Sequence, residues 1–143
     1  MLLHRRSQKI DVLKNVPLFE DLSQRQLDAI ARHADEAEVP AGRVLMKQGE
    51  VGQEMLVILE GGARVERNGK VVSHLGPGDV AGEMSLIDGK PRSATVIAEE
   101  PCRCLIMIRR EFTPLLDSVP GLSNKLLITL CGRLRATTDL LVS

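Results

Sequence analysis

Ala63-Arg64-Val65-Glu66-Arg67-Asn68-Gly69-Lys70-Val71-Val72-Ser73-His74 is the stretch on which the fold turns. Two short runs flank Asn68-Gly69, a dipeptide suited to a two-residue hairpin because both central positions of that turn need positive φ. An antiparallel hairpin is therefore predicted. Around it, from Glu38 to Ile108, glycine or proline interrupts every few residues, at Pro40, Gly42, Gly49, Gly52, Gly61, Gly62, Gly69, Gly76 and Gly78. Short apolar runs at such spacing predict an all-β sandwich or barrel over this region. Met55 to Glu60 and Leu105 to Ile108 carry the densest apolar content and are expected at its centre.

Both ends of the chain read as helical. Ile10, Val12 and Leu13, then Leu27, Ile30, Ala31 and Ala34, recur at helical spacing, and the helical reading extends to Ala37. Ser23 with Gln26 forms a capping box, and Leu22 with Leu27 supplies the hydrophobic staple, so a helix starts at about Gln24. Pro17 separates it from a first short helix, since proline biases its predecessor away from helical geometry. After Ile108 the helical period returns in Phe112, Leu115 and Leu116. Pro120-Gly121 breaks it before a last helix from about Leu122 to Leu141. There Leu127, Leu130, Leu134, Thr137 and Leu141 fall on alternating steps of three and four, a heptad-like seam that predicts pairing with a second copy.

With 143 residues the chain is expected to form one domain with a real core. Nineteen basic residues balance nineteen acidic ones, leaving no net positive field to hold nucleic acid or an anionic membrane surface. No apolar run approaches the roughly 18 residues of a membrane span. No export signal follows His4-Arg5-Arg6, and three cysteines cannot all pair within the chain, so a cytoplasmic address is expected. Phe19 and Phe112 are the sole aromatics, so a bound nucleobase must pack on aliphatic, methionine or arginine side chains.

Functional chemistry concentrates in Gly82-Glu83-Met84-Ser85-Leu86-Ile87-Asp88-Gly89-Lys90-Pro91-Arg92-Ser93-Ala94-Thr95. A carboxylate accepts hydrogen bonds from hydroxyls and a guanidinium forks onto phosphate, so Glu83 and Arg92 facing one cavity suit a ligand carrying ribose and phosphate. Gly82 lets a ligand approach the backbone, and the turn of helix after it offers free amides. Ser93 and Ala94 are small enough to leave their amides uncovered. The plain alternatives are a solvated Glu83 and an exposed Arg92 closing the Gly89-Lys90-Pro91 turn. Lys90 is read as an outward charge, and Thr95 points to core or pocket according to strand phase.

This segment resembles the phosphate-binding cassette of the cyclic-nucleotide-binding domain family, which includes the bacterial catabolite activator protein and the regulatory subunits of cyclic-AMP-dependent protein kinase. The family pattern, roughly F-G-E, one helical turn, then R-[ST]-A-[ST], is met by Gly82-Glu83 and Arg92-Ser93-Ala94-Thr95, while Ala81 stands where Phe is usual. The resemblance covers nearly the whole chain. It implies an α+β fold, an antiparallel β-roll (jelly-roll-like, a double-stranded β-helix) flanked by N-terminal helices and a C-terminal helix pair. On that reading residues 1–143 form a single domain: N-terminal helices over about 9–37, the β-roll over 38–108 with its cassette at 82–95, and C-terminal helices over 109–143.

The resemblance further implies ligand contacts from Gly82, Glu83, Met84, Ser85, Arg92, Ser93 and Ala94, with Glu83 on the ribose 2′-hydroxyl and Arg92 on the cyclic phosphate. Thr137 and Thr138 match the Thr-Ser pair that reaches the adenine amino group from the two subunits of a dimer. Ser93 and those threonines favour cyclic AMP over cyclic GMP as the ligand. The implied function is regulatory: ligand binding moves the C-terminal helix, in a homodimer joined by that helix. The chain ends near the point where a catabolite activator begins its DNA-binding segment, so DNA binding by this chain alone is not expected.

Two other classes stay open. One is a dimerisation or docking domain of the same fold with an altered site, for which Ala81 is the relevant residue, or a sensor portion of a larger channel, kinase or regulator. The other is a metal-dependent β-roll enzyme, against which stands the scatter of His4, His33 and His74. Cys102 and Cys104 share one face of a strand, and a packed apolar face accounts for them; Cys131 in the last helix is read as a small interface residue. No cofactor, metal or catalytic residue is expected.

Overall fold

The computed structural model describes residues 10–142, and within the last helix the side chains of Arg133 and of residues 136–142 fall outside the description. After a helical stretch at 10–13 and a 3-10 turn Pro17–Phe19, the chain forms α1 (Gln24–Arg32), β1 (Asp35–Val39), β2 (Val44–Met46), β3 (Glu54–Glu60), β4 (Ala63–Arg67) and β5 (Lys70–Leu75). It continues through β6 (Val80–Ala81), α2 (Glu83–Asp88), β7 (Thr95–Ala98), β8 (Cys102–Ile108), α3 (Arg109–Ser118) and α4 (Leu122–Val142). The strands make two antiparallel four-stranded sheets, ordered β1-β8-β3-β6 and β2-β7-β4-β5, with helices at both ends of the chain. This is an α+β fold built on a β-roll, and the two apolar-rich strands, β3 and β8, are the inner pair of the first sheet.

β3 is apolar from Met55 to Leu59 because both of its faces are covered there. Met55, Val57 and Leu59 point into a cluster with Leu13, Phe19, Leu27, Ile30, Leu105, Met107, Phe112 and Leu122, which joins the first sheet to the helices. Leu56 and Ile58 point the other way, into a smaller cluster with Met46, Ala63, Ala81 and Val96 between the sheets. Each such side chain contributes about 1.5–3 kcal/mol on full burial.

The start of α1 follows its sequence signals. Ser23 Oγ accepts from Gln26 N at 3.1 Å, and Ser23 N donates to Gln26 Oε1 at 2.9 Å. Its end does not, because the helix stops at Arg32 and Asp35–Val39, expected in part to be helical, is strand β1. Ala and Glu favour helix intrinsically, but pairing with β8, Asp35 opposite Ile106 through Val39 opposite Cys102, overrides that preference. The β-roll therefore begins three residues before the boundary at 38.

The hairpin carries a further departure. Asn68 and Gly69 have φ of 53° and 79°, as the turn requires. Arg67 pairs with Lys70 and Glu66 with Val71, but Val65 then pairs with Ser73 and not with Val72. This β-bulge shifts β5 by one residue from there on.

In α4 the inner stripe is Leu122 and Leu126, both buried, with Leu130 packed against the same core. Lys125 Nζ meets Asp21 Oδ2 at 3.0 Å, tying the helix to the turn after Pro17–Phe19. The expected seam is thus divided: Leu130 turns to the chain's own core, while Leu127 and Leu134 stay 62% and 68% exposed, beside Ile128 at 59%. Thr137 and Leu141 lie outside the described side chains. Among the described residues no helix is long and apolar enough to cross a membrane.

Candidate functional site

Arg92 is fixed before any ligand is considered. Its main chain, between α2 and β7, is held against the β2–β3 loop, where Arg92 N donates to Glu50 O at 2.8 Å, Gly49 N donates to Arg92 O at 2.9 Å, and Val51 bridges Pro91. The side chain, 7% exposed, lies over Gly52, with Nη2 donating to Glu54 O at 2.7 Å and Nη1 to Gly82 O at 3.3 Å. A guanidinium has five N–H donors, so this seat leaves others for an anion. Burial pulls its pKa below the usual arginine value, partly offset by the negative fields of Glu54 and Glu83, and the group stays charged.

Gly82 makes the approach of these groups feasible. It ends β6 and caps α2 in the left-handed region at φ 87°, and a Cβ there falls 2.6 Å from Arg92 Nη1 and Met46 Cε and 2.8 Å from Glu54 O. Glu83 follows as the first residue of α2, 1% exposed, where the helix dipole favours an acid. The solvated-acid alternative for Glu83 and the exposed-arginine alternative for Arg92 are both overturned by these burials.

One cavity of about 360 Å³ receives Gly82, Glu83, Met84, Ser85, Arg92, Ser93 and Ala94 together, so the whole cassette set converges. The volume lies within the roughly 300–1,000 Å³ usual for small-ligand pockets. Ser85 is buried, Met84 is half exposed and Ser93 exposed at the rim. Thr95 does not line the cavity; its Oγ1 accepts from Gln48 N at 3.0 Å. Lys90 is exposed and also stays outside. Thr137 and Thr138 lie outside the described side chains.

The opposite wall was not found from the sequence. Met46, Val65, Ser73, Leu75, Val80 and Val96 complete the lining, and Ala81 contributes its methyl. Met46, Val96, Val65 and Ser73 are cross-strand partners, forming one row across β2, β7, β4 and β5. Glu54 and Gly52, which seat Arg92, were also missed; Gly52 was visible only as one turn glycine among many. The signal available for the row was strand pairing, and the bulge at Val72 hides it, since a regular hairpin sets Val72 opposite Val65.

The site therefore has a charged end, with a buried acid and arginine beside helix-start amides, and an apolar wall of aliphatic and methionine side chains. That combination fits an anionic group, a hydroxyl-bearing ring and a flat apolar body in one small molecule.

A second opening, about 410 Å³, is lined by Glu38, Val39, Pro40, Glu60, Pro101, Cys102 and Arg103. Its larger size does not make it the site, because its central charge is already engaged: Arg103 pairs with Glu36 at 3.2 Å and Glu60 at 3.1 Å. Cys102 Sγ lies 3.2 Å from the carbonyl oxygens of both Gly62 and Glu100, which share its single S–H. Burial pushes the Cys102 thiol up, and that of Cys104 to about 11, so both are packed, unreactive thiols. Cys131 is exposed on α4. Among the described residues no three His, Cys, Asp or Glu side chains converge as metal ligands.

Comparison with known proteins agrees with this geometry. The chain is 30% identical over 128 residues to the cyclic AMP receptor protein of Thermus thermophilus, covering 86% of this chain and 59% of that protein. It is 40% identical over 109 residues to a cyclic nucleotide-gated potassium channel of Rhizobium etli, covering 76% of this chain and 30% of the channel. The crystal structure of the Thermus thermophilus catabolite activator protein superposes with a TM-score of 0.81 at 31% identity, over 88% of this chain and 63% of that one. The chain thus spans less than two thirds of the length of these relatives. Residues 36–119 match the cyclic nucleotide-binding domain, a span that takes in nearly all of both sheets, the cavity and its acid–arginine pair, and the chain belongs to that family.

Proposed function

We propose that this chain is a receptor module for a cyclic purine nucleotide, with cyclic AMP as the preferred ligand, and that its output is a change in the placement of α4. The observation that carries this reading is the pair of buried, opposite charges, Glu83 and Arg92, on the wall of one small cavity. Arg92 and the amides of Ser93, Ala94 and the start of α2 hold the cyclic phosphate, and Glu83 accepts from the ribose 2′-hydroxyl. The base lies along the row from Met46 to Ser73. Ser93 beside Arg92, and the likeness to the cyclic AMP receptor protein of Thermus thermophilus, favour cyclic AMP over cyclic GMP.

Output follows from linkage: a ligand with differential affinity for two placements of α4 shifts the population between them. The exposed Leu127, Ile128 and Leu134 give that helix a face for a second copy of the chain. Such a module is a regulator with no chemistry of its own and no DNA contact by this chain, working in the cytoplasm.

Titration calorimetry with cyclic AMP, cyclic GMP and the cyclic pyrimidine nucleotides tests it, on the native chain and on Arg92→Ala. A charge-assisted hydrogen bond is worth about 1.5–3 kcal/mol, so the variant loses at least roughly ten- to hundred-fold in affinity while its circular dichroism is kept. Near-normal affinity of Arg92→Ala for every nucleotide refutes the site assignment. Failure of the native chain to bind any of them below millimolar favours the docking-domain reading.

A further inference from the structure

We propose that Gln48 is a positioning residue for Arg92, the anchor of a clamp that ties the arginine's loop to the tip of the β4–β5 hairpin. Gln48 does not line the cavity. Its side chain forms a reciprocal pair with the turn: Nε2 donates to Asn68 Oδ1 at 2.9 Å and Oε1 accepts from Asn68 N at 2.9 Å. Its own backbone N donates to Thr95 Oγ1 at 3.0 Å. Three segments far apart in sequence, the β2–β3 loop, the hairpin turn and the first residue of β7, thus meet at one residue.

The clamp matters because of its neighbours in the loop. Gly49 and Glu50 hold the Arg92 backbone from both sides, Val51 bridges Pro91, and Gly52 seats the guanidinium. Those contacts join two loops to each other; the β3 end of the pair is held to the first sheet, where Arg92 Nη2 donates to Glu54 O and Arg109 N donates to Gln53 O at 2.7 Å, which leaves the β2 end to be secured. Bonded loops can shift as a unit, and a shift of the unit moves the phosphate anchor. Gln48 fastens the β2 end to the second sheet, since the position of Asn68 is set by a tight turn between paired strands. Thr95 secures the far end of the same strap, where Ser93 and Ala94 enter β7.

The ligand assignment in the test rests on the function proposed above, so the experiment has one arm that needs no ligand. Gln48→Glu is near-isosteric but sets an oxygen against Asn68 Oδ1, and Gln48→Ala removes the clamp. Asn68→Asp keeps an acceptor and the backbone donor and tolerates positive φ, so it serves as the conservative control. In the ligand-free full chain, amide hydrogen exchange over residues 49–52 and 91–96 accelerates about three- to tenfold in both Gln48 variants, the range of one ordinary hydrogen bond. It stays at the native rate in Asn68→Asp, and exchange in α1 and β8 is unchanged in all three. Cyclic AMP affinity falls about three- to tenfold in the Gln48 variants alone. Native exchange over 91–96 in Gln48→Glu overturns the clamp whether or not the chain binds nucleotide. Faster exchange with native affinity overturns its role in holding the phosphate anchor. A native chain that binds no cyclic nucleotide refutes the ligand assignment, and the exchange arm then decides the clamp by itself.

Discussion

Gly52→Ala separates the seat of the arginine from the arginine itself. A Cβ built on Gly52 falls 1.9 Å from both Cζ and Nε of Arg92, where non-bonded carbon atoms need about 3.5 Å. Either the loop or the side chain has to give way. The loop is held through Gly49, Glu50 and Val51, whereas the guanidinium is the far end of a flexible side chain, so it is the guanidinium that leaves. Its departure breaks the bonds to Glu54 O and Gly82 O and withdraws the fork from the ligand. Gly82 O keeps Leu86 N as a donor at 3.2 Å, which limits the cost to the fold. Losing one charge-assisted phosphate contact weakens binding about ten- to hundred-fold, while Glu54 O, left without its charged donor, lowers the melting midpoint by about 3–10 °C with the fold kept. Calorimetry on Gly52→Ala, Arg92→Ala and the double variant reads this directly. Because both substitutions remove one interaction, the double variant matches Arg92→Ala. Native affinity in Gly52→Ala, or a double variant weakened by the product of both factors, refutes the reasoning.

Two further expectations concern the frame. Ser23→Ala removes one half of the capping box of α1 and costs about 1 kcal/mol, a fall of about 3–5 °C in melting midpoint by differential scanning calorimetry, with nucleotide affinity unchanged. Cys102 and Cys104 resist iodoacetamide in the native protein at pH 8 and react on unfolding, read by peptide mass spectrometry. The folded state raises the Cys104 thiol to about 11 against 9.0, so this residue's contribution to stability is present below about pH 9 and is lost as pH rises through 11. Urea midpoints that do not fall over that interval contradict the assignment of a buried thiol.

The parts of this molecule legible in its sequence are those whose physics is local. The Asn68-Gly69 turn, the Ser23 capping box and the glycine before Glu83 each demand a backbone state that few residues supply. Glu83 and Arg92 stood out through their setting, a glycine and a helix start beside the acid and two small residues after the arginine, and through the resemblance of that stretch to a phosphate-binding cassette; either charge alone reads as an ordinary surface residue. What was hidden depends on pairing between distant segments. Asp35–Val39 is a strand because β8 lies beside it, and Gly52 matters because Arg92, forty positions on, lies over it. Neither fact has a local signature. Ala81 is a mixed case: the sequence marked it as unusual, and the structure places it buried on the cavity wall, opposite Leu56 of β3 and in one cluster with Met46.

The bulge at Val72 gives the ligand wall an unusual kind of changeability. Because β5 is an edge strand whose inward residues are chosen by register, its contribution to the cavity is set by the count of residues after the turn as much as by their identity. Deleting Val72 removes the bulge and leaves Ser73 opposite Val65, whereas deleting Ser73 sets Val72 opposite Val65 with His74 and Leu75 still opposite Arg64 and Ala63; neither change touches Glu83 or Arg92. The bulge thus holds a second residue in reserve beside the one that lines the cavity, and a one-residue deletion exchanges a hydroxyl for an isopropyl group on that wall while the acid and the arginine keep their places.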